Sequence, residues 1–543
     1  MRGAPMPETA APRTVGAMLT RAGAAHPERA AVAMVGRTLS YADLERETAR
    51  FARALIAAGA GKGTRIALMA PDGIYWLVAF LGALRIGALV AAVSTLCKPP
   101  ELAHILRSCD ASIFIGARRF LAHDYAAALA EALPGLAGQQ AGRVRLIAAP
   151  YLRALYLDDA DGLGWAASFD SLLAGASDDP GEAELLTAIE AEVVPADRAT
   201  ILYTSGSTSM PKAVVHRQGA LVDKSLALAD YFHIAPEDRM MPTLPIFWVG
   251  GMTMALMLLG RGGTLVYPAA PDERTIAATI AALGVTRVNS WGPRHRKLVR
   301  AAVAHGIDVE RIGGLAAPRD ASGAAIPPAL FPNLLGMSES LSAHSGERMD
   351  AALPGDKAGA SGRAIGAIDR RVVDPETGAP LAPDRVGELQ IRGSAVMEGF
   401  YKVERSEVFT PDGFYPTGDL VRIDADGYLF FVARRGDFIK TSGANVSRLE
   451  VEQAILGMPG VSLAVVTGLP DGDVGERVVA AVLPDGSTPL EPAAIRAHLA
   501  QRLSSYKVPR QIVLIGQEDV AWGPTGTKID LPRMRETIAR LAA

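Results

Sequence analysis

The chain has 543 residues, 49% hydrophobic and 21% charged, with 55 basic and 58 acidic side chains giving a net charge of −3. That length outgrows one ordinary core, so two or more domains are expected, and the balanced charge without long runs of one sign argues against a nucleic-acid surface or a polybasic membrane patch. Two cysteines, Cys97 and Cys109, are too few for a disulfide framework and lack metal-ligand spacing, which leaves ordinary thiols in a reducing cytoplasm.

The opening M-R-G-A-P-M-P-E-T-A has no apolar stretch behind its arginine and reads as no secretory signal. Ser40 with Asp43 three residues on resembles a capping box, after which Leu44, Phe51 and Leu55 recur near helical spacing up to Gly59. A strand is expected at 65–69. The span 75–93 is the most hydrophobic and long enough to raise the question of a membrane helix. Arg85, Gly82 and Gly87 divide it instead into a helix ending near Gly87 and a buried strand at 89–93. Pro99-Pro100 opens another helix over 101–107, and 111–116 reads as a strand. Strands alternating with helices imply a mostly parallel sheet. Residues 130–195, rich in Ala, Gly and Asp, read as a variable surface region. Further on, helices are expected at 220–231 and from Val249 to Leu259, with strands at 240–244, 264–267 and 287–290. From Gly362 to Gly436 the pattern changes to short strands and turns, and the last hundred residues return to mixed α/β.

The most informative stretch is Tyr203 to His216, Y-T-S-G-S-T-S-M-P-K-A-V-V-H. A strand-like lead-in runs into small and hydroxylated residues, then Pro211 and Lys212. Small side chains let backbone N–H groups approach a phosphate, hydroxyls add donors, and a lysine supplies counter-charge. The spacing differs from G-x-x-x-x-G-K-[ST], because Lys212 is followed by Ala213 and the loop has one glycine, Gly206. Glu339, after the turn Gly336-Met337-Ser338, suits a magnesium ion on nucleotide phosphates, since Mg²⁺ takes one or two carboxylates plus phosphate oxygens.

T-S-G-S-T-x-x-P-K resembles the phosphate-binding signature of the adenylate-forming superfamily, which includes acyl- and aryl-CoA synthetases, firefly luciferase and peptide-synthetase adenylation domains. Ser209 and Ala213 stand where that family usually or often has glycine. Gly336 to Glu339 resembles its Y-G-x-T-E motif, with Ser338 for threonine and Leu335 for the tyrosine that stacks on adenine. Thr417-Gly418-Asp419 resembles the element whose aspartate binds the ribose hydroxyls, a use suited to a bidentate acceptor. The run from Phe430 to Glu452 resembles the hinge motif and the loop beyond it. Pro524 to Asp530 resembles the final motif, with Thr527 in place of the usual glycine before Lys528. Pro245 to Gly251 resembles the acyl-pocket motif F-H-x-G-G, with Trp248 for histidine, and 242–253 lacks the acid that peptide-synthetase domains use for an amino group.

The resemblance implies an α/β protein: a large N-terminal domain of parallel-rich sheets with helices over 1–434, including a β-rich subdomain at 362–434, a hinge near 435–436, and a small mobile α/β domain at 437–543. It implies an acid–CoA ligase that makes an acyl-adenylate from an apolar carboxylate, ATP and Mg²⁺, then an acyl-CoA thioester, with fatty and bulky alicyclic or steroid-type acids resembled most. Thr204, Ser205, Gly206, Ser207, Thr208 and Lys212 would hold phosphates, and Gly336, Met337, Ser338, Asp419 and Arg434 the rest of the nucleotide. Glu339 and Thr208 would hold the metal. Lys528 would serve adenylation, and Lys440 with Gly443 thioester formation. Phe247, Trp248, Gly250, Gly251, Trp291 and Gly292 would line the acid pocket. A homodimer is compatible with it, and neither a nucleic-acid partner nor a membrane span is implied. Two alternatives stay open: loading a carrier-protein thiol in trans, and a degenerate fold that only binds, for which Ser209, Leu335 and Thr527 would be the signs.

Overall fold

A computed structural model describes residues 13–204, 211–290, 292–435, 438–441, 444–472, 475–503, 507–523 and 528–543. The expected capping box forms at Ser40 and Asp43 and starts the helix Tyr41–Ala57. The apolar span resolves into a buried helix, Ile74–Arg85, and the strand Leu89–Ala92. Arg85 is tolerated inside it because Glu45 and Glu190 flank the guanidinium and Thr48 accepts a further hydrogen bond at 3.0 Å. Among the described residues no helix is long and apolar enough to cross a membrane.

The strands Leu89–Ala92, Arg65–Met69, Ile113–Gly116, Ala154–Leu157 and Ala167–Ser168 are parallel neighbours in an eight-stranded sheet. Arg198–Thr204 joins it parallel to Leu89–Ala92, and Lys212–Arg217 and Gly399–Phe400 close that edge antiparallel. The sequence reading left Ala154–Leu157 inside a variable surface region; the strand exists because Leu155 and Leu157 bury one face against the sheet. A second, five-stranded sheet joins Ala30–Met34 to Thr264–Val266, Arg239–Pro242 and Arg287–Asn289, all parallel. One apolar core unites both sheets with the helices between them.

From Ile368 onward the expected short strands appear as a four-stranded antiparallel sheet, Ile368–Val373, Val386–Gly393, Tyr415–Ile423 and Leu429–Arg434. Beyond it, Phe438–Thr441, Ala444–Ser447, Val461–Asp471, Gly475–Pro484 and Gln511–Leu514 form another sheet. Helices Arg448–Leu456 and Pro492–Ala500 pack with one face of it and Leu531–Leu541 with the other. The two cores of this C-terminal unit are built only from residues at or beyond Ile439. The fold is therefore a large N-terminal α/β part followed by a small C-terminal one.

Candidate active site

Thr204 and Lys212 face one another at the end of an antiparallel pair, in register. Thr204 ends a strand parallel to Leu89–Ala92, so this end of the pair lies at the carboxyl edge of the large sheet, the edge where open α/β sheets bind ligands. Ser205, Gly206, Ser207 and Thr208 lie outside the described residues. Lys212 is exposed, with Nζ 5.3 Å from the centroid of the Phe400 ring. The Phe400 strand pairs with Val214 and Val215, which fixes that ring beside the lysine.

Glu339 is set by a compact device. Leu335–Met337 pairs with Ser342–Gly346 around the short turn Ser338–Ser340. Leu341 and Ser342 close the turn at φ values of 50° and 83°, conformations that non-glycine residues adopt at a cost and that mark over-determined turns. A Cβ on Gly336 would lie 2.3 Å from the Ser342 carbonyl oxygen, so the close pairing of the two strands requires glycine there. His216, on the strand that begins with Lys212, donates from Nε2 to the Ser338 carbonyl at 2.7 Å. Burial holds that imidazole at about 4, so it stays neutral at physiological pH. The Met397 amide donates to the Glu339 carbonyl at 2.7 Å. The acid-bearing turn is thus tied by its backbone to His216 on the Lys212–Arg217 strand and to Met397, two residues before the Gly399–Phe400 strand.

Asp419 and Arg434 are cross-strand neighbours, with Arg434 Nε 4.0 Å from Asp419 Oδ1. Asp419 is 5% exposed and Arg434 reaches outward, so the pair presents an acid at depth and a cation at the rim. The Tyr415 hydroxyl, four residues before Asp419, lies 3.4 Å from Glu339 Oε1 and links the two acidic motifs. A cavity of about 210 Å³ then brings the set together: Leu335, Gly336 and Met337 on one wall, Asp419, Phe431, Ala433 and Arg434 on another, and Arg448 with Leu449 from the C-terminal unit. At that size it takes only part of a nucleotide, given that drug-sized ligands fill roughly 300–1,000 Å³.

Among the described residues no three His, Cys, Asp or Glu side chains gather as a metal site. Glu339 alone, half-buried beside the Tyr415 hydroxyl, fits Mg²⁺, which keeps several waters and shares one or two carboxylates with substrate phosphates. It does not fit a cation that needs an all-protein cage.

The expected acid pocket is less convergent. Phe247 is buried and meets Trp248 edge to face, ring centroids 5.7 Å apart, at the start of the helix Val249–Arg261. A Cβ on Gly251 would lie 2.1 Å from the Pro245 carbonyl oxygen, so tight chain packing by itself accounts for that glycine, while one on Gly250 would meet only the end of the Leu244 side chain, at 2.4 Å from Cδ1. An acid does reach this stretch from elsewhere: Asp72 Oδ1 accepts from the Ile246 amide at 2.9 Å. Gly292 opens the helix Gly292–Ala304, and Trp291 lies outside the described residues.

Lys528 is exposed, and its carbonyl accepts from the Gly523 amide at 2.8 Å within the C-terminal unit. The structure brings Arg448 and Leu449 to the cavity shared with Asp419 and Leu335–Met337, and Lys528 is not among the residues lining it. Lys440 is on the strand Phe438–Thr441; Gly436 and Gly443 lie outside the described residues. The sequence reading missed His216, Phe431 and Arg448. His216 ends the stretch Tyr203–His216 with no role of its own; Phe431 sits where an apolar residue is expected in any strand, and Arg448, within the run Phe430–Glu452, has no signal beyond its charge.

Residues 19–401 match the AMP-binding enzyme family, and residues 450–519 match its C-terminal domain. The chain belongs to the AMP-binding enzyme family. Among curated members, it is similar to the sulfoacetate–CoA ligase of Cupriavidus necator, 30% identical over 90% of this chain and 91% of that one. It is also similar to the 3-hydroxybenzoate/4-hydroxybenzoate–CoA ligase of Thauera aromatica, 28% identical over 94% of both. Of solved structures, the anthranilate CoA ligase AuaEII with anthranoyl-AMP superposes with a TM-score of 0.78 at 19% identity, covering 98% of this chain and 99% of that one. The shared fold of this family is the large and small unit described above.

Proposed function

We propose that the cavity between Leu335–Met337, Asp419 and Arg434 is the nucleotide site of an acid–CoA ligase acting on an apolar carboxylate. The chain is an AMP-forming acid–CoA ligase that uses ATP, Mg²⁺ and coenzyme A, in keeping with curated members named for sulfoacetate, feruloyl, hydroxybenzoate and long-chain fatty acid substrates. The observation that carries the site assignment is convergence: three motifs separated by up to a hundred residues meet in one cavity, with the Lys212 strand tied to the Glu339 turn through His216.

Asp419 accepts the ribose hydroxyls, while Arg434 at the rim faces the ribose and phosphate. Lys212 and Thr204, with Ser205 to Thr208, hold the phosphates beyond the sheet edge. Glu339 and Thr208 hold Mg²⁺, which neutralises phosphate charge when bound. The carboxylate oxygen of the acid attacks the α-phosphorus, the bond to the bridging oxygen breaks, and pyrophosphate leaves with the electron pair. Lys528 stabilises the charge that develops in this step. The thiol sulfur of CoA then attacks the acyl carbon, AMP leaves, and the thiol proton passes to solvent.

The chain divides near 434–437, with Gly436 as the hinge and Lys440 and Gly443 serving the second step. Cores that contain only residues from Ile439 onward support that division. In the described arrangement Arg448 borders the nucleotide cavity while Lys528 is exposed, which favours the disposition for thioester formation. Phe247 and Trp248 support an apolar acid, and the relatives named for feruloyl and hydroxybenzoate agree, although sulfoacetate is polar. ATP–pyrophosphate exchange with a panel of carboxylic and amino acids, followed by thioester detection with CoA, tests the reading. Exchange with apolar acids and none with amino acids is expected; exchange driven by amino acids overturns it.

A further inference from the structure

The last wall of the nucleotide cavity comes from a residue to which the motifs assign no role. Arg448 is the first residue of the helix Arg448–Leu456. Its backbone position is fixed from both sides. The Ser447 hydroxyl accepts from the Glu450 amide at 3.3 Å, capping the helix, and lies 3.2 Å from the Val432 carbonyl, to which it donates. Val432 belongs to the Leu429–Arg434 strand, so Arg448 is docked beside the strand that carries Phe431 and Arg434. Its Nη1 donates to Glu452 Oε1 at 2.7 Å, and that carboxylate also accepts from the Val466 amide at 2.8 Å. Glu452 is 7% exposed and therefore an anchored partner. It orients the guanidinium, a group with five N–H donors in a fixed fork.

The cavity walls therefore carry two guanidiniums, Arg434 and Arg448, and one carboxylate, Asp419. A ribose diol is matched by the carboxylate; each guanidinium is paired with a carboxylate of the protein, Arg434 with Asp419 and Arg448 with Glu452, and a phosphate oxygen is the anionic part of a nucleotide that two guanidiniums on facing walls attract. We propose that Arg448 binds the phosphate of the acyl-adenylate, and that it does so in the thioester-forming step because it reaches the cavity only as part of the C-terminal unit. This rests on the nucleotide site proposed above. Phosphate in this region has two sources, the adenylate and CoA. The cavity shared with Asp419 and Leu335–Met337 favours the adenylate.

The test uses the full chain, with Arg448→Ala and Arg448→Lys. Two rates are read in each preparation: ATP–pyrophosphate exchange with an accepted acid, and thioester formation from supplied acyl-adenylate and CoA. Arg448→Ala should raise the Michaelis constant for acyl-adenylate about tenfold or more, the scale of one charge-assisted hydrogen bond, with exchange and the constant for CoA within about twofold. Arg448→Lys should recover part of the loss. Taking the ratio of the two half-reactions in one preparation cancels any loss of folded protein. Equal loss of both half-reactions, an unchanged acyl-adenylate constant, or a rise in the CoA constant in its place each overturns the proposal. Wild-type protein that shows no exchange with any acid defeats the nucleotide-site reading itself, before any variant is compared.

Discussion

Two cavities lined by arginines lie at different places in this fold, and their contrast shows what makes one of them a site. The larger, about 410 Å³, lies at the amino ends of the parallel strands and is lined by Lys62, Arg65, Arg198 and Arg217 with Asp197 and Glu398. There the charges are matched side by side: Lys62 lies 2.8 Å from Asp197, and Glu398 accepts from Arg198 at 2.8 Å and Arg217 at 3.0 Å. Arg198 and Arg217 are cross-strand partners, so a single carboxylate closes that end of the pair. The smaller cavity of about 210 Å³ instead holds a buried Asp419 with its cation 4.0 Å away, glycine where the walls come close, and residues from four separate stretches. Size and charge favour the first. Convergence of separate stretches of the chain favours the second.

The largest effects should separate the half-reactions in that second region. Lys528→Ala should lower acyl-adenylate formation by about a hundredfold or more, the scale of removing one oxyanion donor, while still converting supplied acyl-adenylate and CoA to thioester. Gly443→Trp should do the reverse by filling the approach of CoA. Assaying each half-reaction alone on both variants decides it. Proportional loss of both steps in both variants would mean that the C-terminal unit does not alternate.

Next comes the nucleobase wall. Leu335 offers no ring, but Phe431 lines the same cavity, an aromatic that the sequence pattern could not distinguish from a core residue. Phe431→Leu should raise the Michaelis constant for ATP by about fivefold to a hundredfold, since stacking on an aromatic contributes about 1–3 kcal/mol per base. Leu335→Tyr in the wild-type background should lower it by less. A Phe431 variant with unchanged ATP dependence, alongside a large gain from Leu335→Tyr, would show that the base lies on the other wall.

How much of this was legible from the sequence follows from distance along the chain. Elements set by local chemistry were readable: the Ser40–Asp43 box, the strand Arg65–Met69, and the break at Gly87 all depend on residues within a turn or two. The strand Ala154–Leu157 was not, because four residues are too short a run to establish an alternation. The site motifs were readable as resemblances, yet their mutual anchoring was not. His216 and Ser338 meet across 122 positions, and nothing in either neighbourhood announces it. Gly251 shows the opposite failure. It fits a pocket motif, while the nearness of the Pro245 carbonyl already explains the glycine.

Those hidden anchors have a pH signature. Burial holds His216 at about 4 and His344 at about 3, both from an ordinary value of 6.5. The folded state keeps both neutral, and the unfolded chain takes up protons below about 6.5. Stability is therefore full above that pH and falls as pH drops toward about 4, by up to about 1.4 kcal/mol per pH unit for each group. Lys224, buried with Nζ 3.2 Å from the Ile365 carbonyl, is lowered to about 7 from 10.5, so stability rises with pH across that window. Denaturant midpoints from pH 5 to 9 should rise throughout, and Lys224→Met should flatten the part above pH 7. A wild-type profile flat from pH 5 to 6.5 would contradict neutral buried histidines.

The smallest effect belongs to the first cavity. Glu398 opposes two guanidiniums, and those charges hold its carboxyl below the usual range despite the burial that acts against them. A depressed carboxylate contributes stability above its unfolded value and loses it as pH falls through the folded one. Arg198 and Arg217 are about half exposed, so solvent screens the network and the net contribution of each such pair is about 0–1 kcal/mol. Glu398→Gln should therefore lower the denaturation midpoint slightly, with most of the difference removed in about 1 M salt, where the Debye length is about 3 Å. Both half-reactions should be unchanged, because the pairing secures one end of two antiparallel strands whose opposite ends carry Thr204 and Lys212. If Glu398→Gln instead alters pyrophosphate exchange while the midpoint stays put, the far cavity takes part in the reaction, and the contrast between the two regions fails.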